Sequence, residues 1–180
     1  MNQSISDSID KIIFTGPMGA GKTTAIASIA DTKPINTDVQ CNPNEAAVKK
    51  TTTVAMDYSY IQLDNGKRIH LYGTPGQHRF KFMWKILTRG GIGLIILINN
   101  DQEDPLSELE FYLDTFSEFI QETGVVVGIT RMDEQQSPTL EDYQNKMIEK
   151  DMIFPVFEID GRQPNDVKIL VHALLAVLES

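Results

Sequence analysis

The sequence predicts an α/β fold, a three-layer sandwich built on a mostly parallel six-stranded sheet with one antiparallel edge pair. Short apolar runs of strand length alternate with helical stripes along the chain, and this alternation favours a parallel sheet with helices on both faces. The pair Asn65-Gly66 separates two strand-like runs and is typical of a tight hairpin, which accounts for the antiparallel pair. The length of 180 residues suits a single domain over residues 1–180.

The strands are predicted from β-branched and apolar runs that are bounded by turn residues. They cover residues 11–15, 53–62, 68–72, 93–98, 125–129 and 153–157. Residues 31–50 contain prolines and several Asn and Asp residues, and we predict a loop there. The most apolar run, residues 91–98, is too short to span a bilayer and indicates a buried strand.

The helices are predicted from apolar side chains that recur every three or four residues. The clearest stripe consists of Leu106, Leu109, Leu113, Phe116 and Ile120. Ser137-Pro138 is expected to open another helix, with serine as the cap and proline in the first turn. The remaining helices are predicted over residues 24–30, 80–87 and 167–178.

Charge and cysteine content exclude several classes of function. A net charge of −9 argues against a broad nucleic-acid-binding surface, which would need clustered Lys and Arg. The single cysteine, Cys41, excludes an intramolecular disulfide and favours a reduced, cytoplasmic environment. There is no secretory signal pattern, no prenylation cysteine and no myristoylation start, so we expect no direct membrane anchor.

The strongest motif is the run from residue 16 to residue 24, which fits the G-x-x-x-x-G-K-[ST] pattern of a P-loop. It lies between a predicted strand and a predicted helix, so backbone N–H groups and the helix dipole converge on an anion. Lys22 can reach the β- and γ-phosphates of a nucleotide, and the Thr23 hydroxyl can bind Mg²⁺. The expected phosphate-binding residues are Gly16, Pro17, Met18, Gly19, Ala20, Gly21, Lys22, Thr23 and Thr24. The fold is therefore expected to be that of a P-loop NTPase.

Three further segments carry motifs. Thr53 to Tyr58 follows the polar loop and begins a predicted strand. Gly73 to Gln77 and Thr130 to Asp133 follow the ends of predicted strands, where ligand-binding loops of parallel sheets gather. With these segments the chain resembles the Ras-like small GTPases over essentially its whole length, and it is most similar to their bacterial gliding-motility-type and conservon-type members.

The resemblance implies roles for two mobile segments, the switches. Thr53 would close over the γ-phosphate and Mg²⁺ in switch I, with Thr51 and Thr52 as neighbouring alternatives. In switch II, Gly76 would donate its N–H to the γ-phosphate and Gln77 would orient the attacking water. The aspartate that begins switch II in this family is Gly73 here, so the metal site would have to be completed by water or by another carboxylate, with Asp57 and Asp38 as candidates.

The resemblance also implies a guanine site. The carboxylate of Asp133 can accept hydrogen bonds from N1–H and the exocyclic amine of guanine, and adenine offers no such pair on that edge. The planar guanidinium of Arg131 can lie along the purine face, within the segment that begins at Thr130. Gly161 and Arg162 follow the last strand, where a backbone N–H is expected to contact guanine.

The sequence therefore predicts a cytoplasmic switch that binds GTP or GDP with Mg²⁺ and hydrolyses GTP slowly, with Lys22, Thr53 and Gln77 as catalytic residues. Two alternatives stay open, a P-loop ATP-dependent kinase or ATPase and a non-hydrolysing nucleotide-binding scaffold. The resemblance implies regulatory or effector proteins as partners, among them a protein of the Roadblock/LC7 type.

Overall fold

Strands and helices alternate along most of the chain, as the hydrophobic pattern predicts. The computed structural model describes residues 10–41, 52–134 and 137–180. Its strands are β1 (Asp10–Thr15), β2 (Ile35–Cys41), β3 (Thr52–Gln62), β4 (Arg68–Gly73), β5 (Gly93–Asn99), β6 (Gly124–Thr130) and β7 (Val156–Ile159). Its α-helices are α1 (Lys22–Ile29), α2 (Lys81–Thr88), α3 (Pro105–Thr115), α4 (Ser117–Glu122), α5 (Leu140–Ile148) and α6 (Pro164–Glu179), and a 3₁₀ turn (His78–Phe80) precedes α2.

One sheet joins these strands in the order β2-β3-β4-β1-β5-β6-β7. The pairings from β4 through β1, β5 and β6 to β7 are parallel, and β3 pairs antiparallel with both β2 and β4. The mostly parallel α/β class with an antiparallel edge is therefore confirmed. A seventh strand, β2, extends that edge.

Two apolar cores lie on opposite faces of the sheet because side chains alternate along each strand. Ile12 and Phe14 of β1 pack with residues of α1 and α6, whereas Ile13 packs on the other side with residues of α2, α3 and α5. The same alternation recurs along β5 and β6. This arrangement makes the predicted three layers.

The structure corrects four sequence predictions, of which the first three concern a loop, a long helix and a helix cap. The predicted loop at residues 31–50 contains β2, a polar strand that is defined by its antiparallel partner β3 rather than by its own hydrophobicity; residues 42–51 lie outside the described residues. The helical stripe from Leu106 to Ile120 is divided at Phe116 into α3 and α4. The cap of α5 is Thr139, whose hydroxyl forms a capping box with Asp142, and not Ser137.

The last strand begins three residues later and ends two residues later than predicted. It covers Val156–Ile159 instead of residues 153–157, and Ile153 is 84% exposed. Pro155 explains the shift, because proline has no N–H to donate to a sheet ladder. Its carbonyl instead accepts the Val127 N–H at 2.9 Å, at the entry to the strand.

Candidate functional site

The P-loop turns from β1 into α1 through backbone conformations that favour glycine. Gly16, Gly19 and Gly21 have φ angles of 143°, 82° and 91°, in the region that side chains rarely adopt. At Gly16 a Cβ atom would also collide with the carbonyl oxygen of Leu97 on β5. The motif glycines are therefore required by the close contact of the loop with the central strands and by the tight turn into the helix.

Lys22 is a buried cation in this loop, and the residue is only 8% exposed. Its ammonium donates hydrogen bonds to the carbonyl oxygens of Gly16 and Pro17, both at 2.7 Å. Burial lowers the pKa of Lys22 to about 8, and the nearby charge of Asp57 partly opposes this shift. The ammonium is thus held at the centre of the loop in an environment that would gain from an added negative charge.

Thr23 lies beside Lys22 at the start of α1, and its hydroxyl donates a hydrogen bond to the carboxylate of Asp57 on β3. Gly73, at the end of β4, is the register partner of Asp57. Of the two carboxylates that the sequence left open, the structure describes the side chain of Asp57. Asp57 reaches the P-loop, and the side chain of Asp38 lies outside the described residues.

The segment from Gly73 to Gln77, which the sequence predicts as switch II, crosses the P-loop at very short range. The Thr74 N–H donates to the Phe14 carbonyl at 2.9 Å, and the buried hydroxyls of Thr74 and Thr15 are 2.8 Å apart. At Gly76 a Cβ atom would lie 2.5 Å from the backbone nitrogen of Met18 and 2.8 Å from the Lys22 ammonium. Only glycine fits at this crossing without a shift of the backbone.

Two aromatic side chains hold the switch II backbone from the other side. The indole N–H of Trp84 donates to the Pro75 carbonyl at 3.0 Å, and the Tyr112 hydroxyl donates to the Gly76 carbonyl at 3.4 Å. Gln77 follows, and its side-chain amide contacts the Met18 sulfur at 3.8 Å. The predicted catalytic glutamine therefore lies over the P-loop.

A cavity of about 700 Å³ adjoins the P-loop and collects the remaining predicted motifs. Its walls come from three places in the sequence: the P-loop and α1, the segment after β6, and the segment after β7. The predicted site residues among them are Gly19, Gly21, Thr24, Thr130, Arg131, Asp133, Gly161 and Arg162. The convergence follows from the parallel sheet, because the carboxyl ends of β1, β6 and β7 meet at one edge.

The segment after β6 is fixed at its first residue and exposed beyond it. Buried Thr130 has its hydroxyl 3.4 Å from the Ala20 carbonyl and 3.3 Å from the Ile98 carbonyl. Arg131 has a left-handed φ of 58°, which turns the chain outward, and Asp133 is exposed on the cavity wall. A carboxylate there is accessible to a ligand.

The segment after β7 closes the cavity against the P-loop. Gly161 is buried, and a Cβ atom there would lie 3.5 Å from the Gly21 carbonyl, which is ordinary contact distance. Arg162 forms an ion pair with Asp160 at 2.8 Å and its side chain is 80% exposed. This ion pair raises the pKa of Arg162 and lowers the pKa of Asp160.

Several cavity residues were not identified from the sequence. Met132, Glu134, Glu158, Ile159 and Asp166 also line the cavity. Asp166 accepts the Asp160 N–H at 2.9 Å, and its place in the first turn of α6 is the signal that could have indicated it. Thr53, the predicted switch I residue, lies in β3 opposite Gln40, and its side chain is outside the described part of the structure.

The donor set beside the P-loop fits Mg²⁺. The Thr23 hydroxyl and the Asp57 carboxylate are hard oxygen ligands, which Mg²⁺ prefers. Within residues 10–41, 52–134 and 137–180, no group of three His, Cys, Asp or Glu side chains forms a metal cage. That is the usual condition for Mg²⁺, which binds proteins through one or two side chains together with phosphates and water.

The comparisons with known proteins agree with this geometry. The chain is 22% identical to the Ras-related protein SEC4 of Saccharomyces cerevisiae over 96% of its own length and 76% of the relative's length. It is 22% identical to the Ras-related protein Rab-11B of Dictyostelium discoideum over 93% of the chain and 73% of that protein. No protein-family model matches the chain.

An archaeal relative is more similar in sequence over a shorter region. The chain is 30% identical to the uncharacterized protein MJ1339 of Methanocaldococcus jannaschii over 64% of its own length and 71% of the relative's length, and it belongs to the same family as that protein. The fold and the loop define a P-loop nucleotide-binding protein. The Ras-related homologues support, at low identity, a Ras-like small GTPase. No helix in the described part of the chain is long and apolar enough to cross a membrane.

Proposed function

We propose that this protein is a small GTP-binding switch that binds GTP or GDP with Mg²⁺ and hydrolyses GTP slowly. The observation that carries this proposal is the convergence of the P-loop with the segments after β6 and β7 around one cavity of about 700 Å³. A nucleotide has a polyanionic end and a flat base, and this cavity offers an anion-binding loop at one side and a free carboxylate, Asp133, at the other. The proposed unit is one small-GTPase domain over residues 1–180.

Asp133 supplies the preference for guanine in this proposal. Its carboxylate is exposed on the cavity wall and accepts the two N–H donors of the guanine edge, with Arg131 along the base and Gly161 offering a backbone N–H. A bound base without those donors would displace water from the carboxylate without replacing its hydrogen bonds, at a cost of about 1–3 kcal/mol. This argues against an ATP-dependent kinase or ATPase.

Hydrolysis follows from the groups that meet at the P-loop. Lys22 and the loop N–H groups stabilise the negative charge that develops on the γ-phosphate, and Gln77, which already lies over the loop, orients a water for in-line attack. Thr23 would bind Mg²⁺ directly, and Thr53, the switch I residue predicted from the sequence, would be a second ligand in the GTP state. When bound, Mg²⁺ neutralises phosphate charge.

Switching is assigned to the segment from Gly73 to Gln77. It contacts the P-loop backbone at Gly76 and the helical layer through Trp84 and Tyr112, so a change at the γ-phosphate is passed to α2 and α3. Partners are expected to bind that face. A cytoplasmic location, a likeness to the bacterial gliding-motility and conservon-type proteins, and a Roadblock/LC7-type regulator belong to this proposal as predictions from the sequence.

The test is hydrolysis of γ-labelled GTP under single-turnover conditions, with ATP as the competing nucleotide. We expect slow release of phosphate from GTP and weak competition by ATP. The matched variant Gln77→Leu should bind GTP normally and release phosphate more slowly. Tight GTP binding without any hydrolysis would instead support the non-hydrolysing scaffold, and equal binding of ATP and GTP would contradict the proposal.

A further inference from the structure

Asp57 and Gly73 face each other across the antiparallel pair β3–β4 as direct register partners. A Cβ atom built on Gly73 would lie 3.1 Å from the Asp57 Cβ and 3.2 Å from its Oδ2 atom. Such distances are shorter than ordinary contact, so a side chain at position 73 would push against the carboxylate. The glycine therefore leaves open the space in which the Asp57 carboxylate lies.

That carboxylate is aimed at the Thr23 hydroxyl, which donates a hydrogen bond to it. A hydroxyl binds a cation through an oxygen lone pair, so its proton must point to another acceptor. Asp57 is such an acceptor. It holds the Thr23 proton on the β3 side, and the lone pairs of the same oxygen stay available on the side of the phosphate-binding loop.

The charge at this position is suited to a divalent cation. Asp57 is half-buried and forms no salt bridge with any residue that the structure describes. Its charge acts on Lys22, but that ammonium is bound to the carbonyls of Gly16 and Pro17. An oxygen-rich, negatively charged position next to a phosphate site is what Mg²⁺ requires.

We propose that Asp57 on β3 is the carboxylate that orients the Thr23 hydroxyl for Mg²⁺ binding. Glycine at position 73 of the adjacent strand β4 leaves room for that carboxylate. This role rests on the proposed function, because the cation binds together with nucleotide phosphates. It chooses Asp57 from the two candidates that the sequence left open, and it places the acidic group on β3 instead of at position 73, where the Ras-like small GTPases carry their aspartate.

The experiment measures the Mg²⁺ requirement without measuring hydrolysis. Protein loaded with fluorescent GDP is diluted into unlabelled GDP at a series of free Mg²⁺ concentrations, and the dissociation rate gives the concentration at half effect. We expect Asp57→Asn to raise that concentration by about 10- to 100-fold, as for removal of groups that orient metal ligands. In excess EDTA the rate should equal that of the unmodified protein. Asp38→Asn is the matched control and should change nothing.

Two further variants separate this role from a purely structural one. The exchange of the two residues, Asp57→Gly combined with Gly73→Asp, returns a carboxylate from the partner strand without the clash between the two Cβ atoms and should restore much of the Mg²⁺ dependence. Gly73→Ala keeps Asp57 but presses a methyl group against it, so it should raise the Mg²⁺ requirement even if Asp57→Asn fails to fold.

The outcomes distinguish this inference from the proposed function. Failure of the unmodified protein to bind fluorescent GDP would overturn the proposed function. Normal GDP binding with the same Mg²⁺ requirement in Asp57→Asn, or in Gly73→Ala if the first variant does not fold, would overturn the role of Asp57 alone. A shift in Asp38→Asn in place of Asp57→Asn would assign the carboxylate to β2 and would also overturn it.

Discussion

Lys22 should make both folding and nucleotide binding depend on pH. Its ammonium is buried in the P-loop, and burial lowers its pKa from 10.5 to about 8. Between pH 8 and pH 10.5 the Lys22 side chain therefore keeps its proton in the unfolded chain but has lost it in the folded, nucleotide-free protein. The free energy of unfolding should therefore rise with pH across this window, by about 3 kcal/mol in total at about 1.36 kcal/mol per pKa unit.

Nucleotide binding should reverse the shift, because phosphates beside the ammonium favour its charged form. Above pH 8 binding then takes up a proton, and affinity falls by up to about tenfold for each further pH unit. Two measurements check this: urea unfolding of nucleotide-free protein from pH 7.5 to 10, and calorimetric titration of GDP in two buffers with different ionisation enthalpies.

Lys22→Met is the matched control, since it keeps an apolar chain of similar length and removes the titrating group. Other groups that titrate in this range contribute equally to both proteins, so the difference between the two pH profiles isolates Lys22. We expect the variant to lose the pH-dependent gain in stability and the proton uptake, and to bind GDP weakly. Parallel stability profiles and equal proton uptake in the two proteins would refute the reasoning.

Three other outcomes are expected. Asp133→Asn should weaken GTP binding by about 1–3 kcal/mol and favour xanthine nucleotides, as titration with fluorescent GTP and XTP will show; an equal loss for both nucleotides would place Asp133 outside the base site. Trp84 is 1% exposed, yet its indole N–H is bound to the Pro75 carbonyl, so its fluorescence should change when GDP is exchanged for a non-hydrolysable GTP analogue; an identical spectrum with binding confirmed would leave it in a static core. Gly76→Ala should reduce nucleotide affinity and also lower the thermal unfolding midpoint, because the new methyl group would lie 2.5 Å from the Met18 nitrogen and the backbone would have to shift; unchanged affinity would show that the switch II crossing is not required for binding.

Two kinds of feature in the site were predictable from the sequence: a local motif, and the convergence of loops that a parallel sheet imposes. The P-loop could be identified because its strand, glycine turn and helix follow one another within a short segment. The segments after β6 and β7 line the same cavity as the P-loop, and this was predictable from the topology because parallel strands end at one edge of the sheet. Asp133 and Gly161 were found in this way, and both line the cavity.

What the sequence could not provide depends on pairing between distant segments. The strand β2 has a weak propensity of its own and is defined by its ladder with β3. The contact between Asp57 and Thr23 depends on the register that sets Asp57 opposite Gly73, which no local pattern encodes. The hydrogen bond from Trp84 to the switch II backbone likewise requires the packing of α2 against the sheet.

The central claim is that the cavity beside the P-loop holds a guanine nucleotide. The most direct test is to purify the protein without added nucleotide, release whatever it retains with acid, and identify it by anion-exchange chromatography. We expect GDP, with some GTP, in near-stoichiometric amount, and much less in the Asp133→Asn variant purified in parallel. Recovery of adenine nucleotides, or of an equal amount of guanine nucleotide from the variant, would contradict the account.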